Sequence, residues 1–238
     1  MKRRVEREIL DDLPVDHPQA KRSRRDLILI NRLMGHASLL SKPLERHLPF
    51  NRPIHLLEMG SGDGTLSARL LERLGNVCAG SRIQLVDQLP ILSEASRRML
   101  EARGWIVEES VSDIFEWLSN NETRFDGCFA NLFIHHFETR ALKILFEHLS
   151  KHVDLFMCTE PRRDAIAAWG AAGLRLLGCN KVTLNDAKLS VSAGFNDDEL
   201  TQIWNSVTDS PSWHLSEQRA RGFSHFFIAR NTGTDADE

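Results

Sequence analysis

The sequence predicts an α/β fold built on a parallel, doubly wound sheet, and three observations carry the prediction. The apolar run Ile54, Leu56, Leu57 ends at Glu58 and a glycine turn, Gly60-Ser61-Gly62-Asp63-Gly64, after which Leu66, Leu70, Leu71 and Leu74 recur at helical spacing. Short apolar segments then alternate with helical ones along most of the chain, the pattern of a parallel sheet covered on both faces. Two further strands end in carboxylates, Asp87 and Asp113, at the sheet edge where such folds bind ligands.

Composition sets the bounds. A chain of 238 residues with 42% hydrophobic residues builds a substantial core as one large domain. A net charge of -3 gives no general pull towards nucleic acid or an anionic membrane. No apolar run spans a bilayer, and the start, MKRRVEREILDDLP, lacks the apolar stretch of a secretory signal. Cys78, Cys128, Cys158 and Cys179 are widely spaced and form no C-x-x-C pair, so they read as reduced thiols of a cytoplasmic protein.

Taken in order, residues 1–25 read as a flexible charged arm interrupted by Pro14 and Pro18, its Lys21-Arg22-Ser23-Arg24-Arg25 cluster read as a solvated helix start. Residues 26–50 read as an amphipathic helical pair that must pack on the sheet or cover the site as a lid, with a bend near Gly35 and His36 and a second short segment starting at Pro43. The domain proper covers 51–230. After the glycine turn and its helix, Arg82 to Asp87 forms a second strand. Asp87 lies about twenty positions past the glycines, the spacing at which a carboxylate accepts hydrogen bonds from ribose hydroxyls; Gln88 follows it. A helix from Ile91 to Arg103 stops at Gly104, and a third strand runs from Trp105 to Val111. Asp113 follows, either as a ligand carboxylate or as the cap of a helix from Ile114 to Leu118. A fourth strand, 124–133, runs into Ile134-His135-His136-Phe137 and a helix to His148; a fifth, 153–159, ends at Glu160-Pro161. Residues 161–195 read as a lid insertion: an alanine- and leucine-rich helix to Leu177, a break at Gly178-Cys179-Asn180, and a polar connector. A helix from Asn196 to Trp204 precedes a closing antiparallel hairpin, and 231–238 reads as a disordered tail.

The glycine spacing selects the ligand class. Dinucleotide sites favour G-x-G-x-x-G with a pyrophosphate at the helix start, whereas Glu58 two residues before Gly60 would repel a pyrophosphate and suits a ligand carrying cationic groups. The stretch Glu58-Met59-Gly60-Ser61-Gly62-Asp63-Gly64 resembles motif I of the class I S-adenosylmethionine (SAM) dependent methyltransferases. The resemblance implies a Rossmann-like, seven-stranded sheet in the order 3-2-1-4-5-7-6 with strand seven antiparallel and helices on both faces. It also implies SAM as cofactor and S-adenosylhomocysteine as product. The implied cofactor residues are Glu58, Gly60, Ser61, Gly62, Gly64, Asp87, Gln88, Asp113, Ile114 and Asn131, with Ile114 against the adenine.

Asn131-Leu132-Phe133-Ile134-His135-His136-Phe137 resembles the segment after strand four in the ubiquinone and menaquinone methyltransferase group. Asn31-Arg32-Leu33-Met34-Gly35, Glu160-Pro161-Arg162-Arg163 and Ser192-Ala193-Gly194-Phe195 are similar to small bacterial methyltransferases of phenolic and polyketide tailoring. These resemblances imply a small-molecule acceptor, a phenolic or polyketide-like hydroxyl ahead of a carbon. His135 or His136 would act on its proton, His36, Arg162 and Arg163 would contact it, and no metal would be needed. The segment after Asn131 lacks the proline-proline-aromatic sequence of amino-methylating DNA enzymes, which disfavours nucleic acid as acceptor. An NAD-dependent oxidoreductase and a catalytically silent SAM-binding protein are the competing classes. The oligomeric state stays open, a homodimer included.

Overall fold

The computed structural model describes residues 2–208 and 211–233. Its centre is a seven-stranded sheet in the order β3-β2-β1-β4-β5-β7-β6. The strands are β1 (His55–Met59), β2 (Arg82–Asp87), β3 (Ile106–Val111), β4 (Gly127–Asn131), β5 (Leu155–Pro161), β6 (Trp213–Arg219) and β7 (Ser224–Asn231). β1 to β5 pair in parallel, and β7 runs antiparallel to both β5 and β6, as the expected topology requires.

The helices are α1 (Ile9–Asp12), α2 (Pro18–Met34), α3 (His36–His47), α4 (Thr65–Glu72), α5 (Glu94–Glu101), α6 (Ile114–Ser119), α7 (Thr139–His152), α8 (Ala165–Gly173), α9 (Lys181–Ala193) and α10 (Glu199–Asn205). Successive residues of β1 point to opposite faces of the sheet. Leu57 and Met59 join the core under α6, α7 and α10, while Ile54 and Leu56 join the core under α3, α4 and α5. Both faces are covered, which is why the inner strands read as apolar runs and not as alternating ones.

Three segments differ from the sequence expectation. Gly35, at φ 72°, ends α2 and starts α3, which then carries Pro43 inside it; the second segment begins at the glycine and not at the proline. The polar connector after Asn180 is a helix, α9. Its residues pack on three helices, α8, α1 and α2, so no single apolar stripe marks it, although Asn180 caps it by accepting from the Thr183 amide. The third difference is the N-terminal arm, which is seated on the body of the protein. Arg4 N donates to Ser192 O at 3.1 Å, and the Ile9 and Leu10 amides each donate to the Asp186 carboxylate at 3.0 Å. At the other end, residues 231–233 belong to β7 and its exit, Thr232 N donating to Ser212 O at 2.7 Å; the remainder of the expected tail lies outside the described residues.

Candidate active site

The carboxyl ends of β1, β4 and β5, with helices α2, α4, α8 and α9, surround a cavity of about 920 Å³. One end is the glycine turn. Gly60 and Gly62 adopt φ of 68° and 55°, which L side chains rarely take. A Cβ on Gly60 would meet the Phe133 ring at 2.3 Å, so this glycine lets the turn lie against β4's exit. Gly62 has nothing within 4 Å of its Cβ position, which leaves its backbone open to a ligand. Glu58, Gly60, Ser61, Gly62 and Asn131 all line the cavity. Gly64 does not; it precedes α4 and is closed over by Leu92, so it shapes the turn.

Glu58 is fully buried and accepts from the Ser67 hydroxyl. Burial, reinforced by the negative charges of Asp87 and Asp63, pushes its carboxyl up to about 8. Glu58 has no basic partner among the described residues. An acidic end of this kind fits a cationic ligand and opposes a pyrophosphate.

Asp87 braces the turn: one oxygen accepts from Gly62 N at 2.8 Å and the other from Leu89 N at 2.9 Å. Asp113 caps α6 through Phe115 N at 2.8 Å and Glu116 N at 3.3 Å, while its other oxygen accepts from Gln88 Nε2 at 2.8 Å. The capping reading of Asp113 holds, and its second oxygen is taken by Gln88. Asp87, Gln88 and Asp113 sit at the ends of β2 and β3, next to the turn and outside the cavity lining. Ile114, the first residue of α6, is buried in the core and, like Asp87 and Asp113, lies outside the cavity lining.

The other end of the cavity is built around His135, in a 3-10 turn after β4 (Ile134–His136). The buried Glu160 carboxylate at the end of β5 accepts from the amides of Phe133 at 3.1 Å and Ile134 at 3.0 Å, and from His135 Nδ1 at 2.6 Å. That bond fixes the ring with its Nε2 directed at Glu8 Oε1, 3.5 Å away and without a hydrogen bond. Burial alone would lower the His135 pKa, but the hydrogen bond to Glu160 and the negative charges of Glu160 and Glu8 push it up to about 9. His136 also lines the cavity; burial and the neighbouring His135 lower it to about 4. Glu8 accepts from Ser190 of α9, and the histidines hold it below the usual carboxylate range despite its burial. Arg3 locks this arrangement: its guanidinium donates to His135 O at 3.0 Å, Phe137 O at 2.8 Å and Ala193 O at 2.8 Å.

Between the two ends, Asn131 Oδ1 accepts from Thr159 Oγ1 at 2.5 Å, and its Nδ2 donates to Asn31 Oδ1 at 3.1 Å. His36 Nδ1 donates to the same Asn31 oxygen at 3.0 Å, which leaves its Nε2 to accept from the Ser224 hydroxyl at 2.7 Å. Burial lowers the His36 pKa to about 4, in keeping with this neutral tautomer.

Three acceptor residues expected from the sequence do not reach the cavity. His36 is buried behind Asn31. Arg163 is buried and paired with Glu199 at 2.5 Å, also donating to Gly194 O at 2.5 Å. Arg162 is held by Asp164 at 3.2 Å and Asp197 at 3.3 Å. β5 extends to Pro161, and Arg162 then bridges to Phe195, so the chain turns both arginines into the lid's base. In their place the fold brings Glu160, Glu8, Arg3 and Asn31 to the site. Glu160 was visible only as the polar end of a strand; Glu8 and Arg3 had no local signal in a charged segment.

No protein-family model matches the chain, and a search of curated proteins finds no match. Solved structures do. An O-methyltransferase family protein from Burkholderia thailandensis is similar over 91% of this chain and 61% of its own, at 15% identity and a TM-score of 0.60. A putative O-methyltransferase from Nostoc punctiforme is similar over 91% of this chain and 61% of its own, at 10% identity and a TM-score of 0.59. Magnesium protoporphyrin IX methyltransferase from Synechocystis, solved with bound S-adenosylhomocysteine, is similar over 91% of this chain and 95% of its own, at 15% identity and a TM-score of 0.56. The chain thus spans about three fifths of the first two proteins and nearly the whole length of the third. Strand order, the antiparallel seventh strand and these likenesses together establish that the chain has the class I SAM-dependent methyltransferase fold.

Proposed function

We propose that this protein transfers a methyl group from SAM to a small-molecule acceptor, with a hydroxyl oxygen as the favoured nucleophile, in the cytoplasm. The observation that supports this reading is one cavity with two chemically distinct ends: the acidic glycine turn with Glu58, and the His135 cluster with Glu8 and Glu160. The first end would hold SAM. Glu58 would pair with its cationic portion, Gly60 to Gly62 would admit its backbone approach, and Asp87 and Asp113 would take its hydroxyl and amine donors. When bound, SAM supplies an already electrophilic methyl group on a sulfonium.

The protein's part is to align the acceptor, exclude water and hold the acceptor's proton. His135, whose Nε2 points at Glu8, and Glu8 itself line the cavity and would be the groups able to take that proton. Glu160 orients the ring through Nδ1 and, with Glu8, strengthens its hold on a proton. The same pairing leaves most molecules already protonated at His135 near pH 7, so the rate of a hydroxyl acceptor should climb with pH towards about 9.

Glu8, His135 and His136 also place one potential metal-ligand atom each within 4.8 Å of one another. Both His135 nitrogens face carboxylates and Glu8 is engaged by Ser190, so an imidazolium accounts for the charge without an ion. We therefore propose metal-independent transfer. Calorimetry with SAM and with NAD, followed by transfer from labelled SAM to a panel of phenolic and carbon acceptors read by mass spectrometry, tests the whole reading. NAD binding without SAM binding would sink it. SAM binding with no turnover on any acceptor would favour a silent binding protein.

A further inference from the structure

The lid carries an apolar surface that the transfer reaction does not use. From Ala165 to Leu177 the sequence holds one charge, Arg175, so α8 and the 3-10 turn after it (Leu174–Leu177) are apolar all round. A helix of that kind is ordinarily buried on every side. Here only its inner face is: Ala167 and Ala171 are buried, and Gly170 lies beneath the Phe223 ring. Its outer face is bare. Trp169 is 81% exposed, Leu176 92%, Ile166 54% and Leu177 49%. Four large side chains on one short segment exceed the scattered apolar residues of an ordinary surface.

The surroundings identify what covers it. Arg175, within the turn, and Lys181, four residues after it, are exposed. Arg22, on α2, reaches the tip and donates to Gly178 O at 3.0 Å, with Arg25 one helical turn further on. None of these four has an ion-pair partner among the described residues. Asp26, further along α2, is turned inward onto Asn180 N and Thr183 Oγ1, and Asp164, at the foot of α8, accepts from Ala167 N, Arg162 and Arg219. An aromatic and aliphatic tip with exposed arginine and lysine side chains in it and beside it, none of them in an ion pair, matches a bilayer interface with anionic headgroups: the apolar groups enter the acyl boundary and the long basic chains reach the phosphates. No helix among the described residues is long and apolar enough to cross a membrane, so the attachment is to the surface.

We infer that the tip formed by Ile166, Trp169, Leu176 and Leu177 seats this protein on an anionic lipid bilayer. The inference stands apart from the methyltransferase reading. It bears on it in one respect, because Ala167, Gly170 and Leu174 of the same segment line the cavity and the anchoring element is therefore also its wall.

The test is co-sedimentation of the full chain with vesicles of phosphatidylcholine alone or mixed with phosphatidylglycerol, with tryptophan emission recorded in parallel. The expected result is binding to the mixed vesicles, weakened by salt, with a blue shift that Trp169→Phe removes without releasing the protein. Leu176→Asp should weaken partitioning about tenfold or more, the worth of one buried leucine. Arg175→Glu should abolish the preference for the anionic mixture. Circular dichroism keeps the variants comparable, and SAM calorimetry on each separates failure of this surface from failure of the cofactor site. Wild-type protein left in the supernatant with both vesicle types overturns the inference. So does a concentration-dependent dimer that Trp169→Asp dissolves, since the cover is then a second copy of the chain.

Discussion

The two ends of the cavity are assembled in opposite ways. The glycine end comes from one short stretch, residues 58–64, braced by a single carboxylate from the next strand, Asp87. Its chemistry is nearly complete within a strand, a turn and a helix start. The His135 end draws on four distant parts of the chain: the N-terminal segment, the exit of β4, the end of β5 and α9. A local motif tolerates drift elsewhere in the fold, whereas a convergent cluster holds only as long as every contributing segment is in place. Substitutions should therefore separate the two ends cleanly, cofactor binding from turnover and stability.

The largest expected effect is at Glu160. Glu160→Ala removes the acceptor of buried amides and of the His135 ring, and should cost about 3–5 kcal/mol of stability, read by chemical denaturation. A change below 1 kcal/mol would mean that the cluster is not the keystone of its half. Next is His135→Ala, which should lower the transfer rate by about 10²–10⁴-fold while leaving SAM affinity unchanged. The loss should shrink at high pH, where a phenol ionises unaided; an equal loss at every pH marks a positioning role. Asp87→Ala should do the converse, weakening SAM by about 1.5–3 kcal/mol in calorimetry with the bound complex still turning over. If either variant damages both readouts equally, the division into two ends is wrong.

Two smaller effects concern protons. Glu58 is held near 8, so a cationic ligand should ionise it, and SAM binding at pH 7 should release a proton, seen as a dependence of the binding heat on buffer ionisation. No such dependence would separate Glu58 from the cofactor's charge. Stability should peak near neutrality. His135 binds its proton more tightly when folded, so its contribution is complete below pH 6.5 and is lost as pH rises through about 9. His36 and His136, depressed to about 4, contribute above pH 6.5 and lose that contribution as pH falls through 4. A thermal midpoint that rises steadily from pH 6.5 to pH 9 would contradict the His135 pairing.

The same contrast governs what could be read without coordinates. The glycine turn, Asp87 and the capping role of Asp113 follow from local spacing and apolar periodicity, the strand order follows from the family resemblance of the glycine motif, and the structure places each within a few residues of expectation. His135 and His136 were recognisable because they follow a strand of known position. What failed was long-range. Arg162 and Arg163 follow β5 as expected, but nothing local announces that Asp197 and Glu199 will claim them. Glu8 sits among charges of both signs, with no pattern to distinguish it from its solvated neighbours. α9 was hidden for a related reason: it packs on three helices, α8, α1 and α2, which erases the single stripe by which a surface helix is recognised.

The seating of the N-terminal segment also sets an order of events during synthesis. Arg3 reaches Ala193 across 190 residues, and Leu10 reaches Asp186 across 176. A chain made from its N-terminus releases residues 3–10 long before their partners exist, so this segment must wait, undocked, while the sheet forms. The His135 end is then the last part of the molecule to close, and its loop-closure cost is among the largest in the fold. Pulse-labelled hydrogen exchange should find the amides of Ile9 and Leu10 protected after those of β1 and β4. The His135 end of the cavity would thus come into being as the final act of folding, one step behind the glycine-turn end.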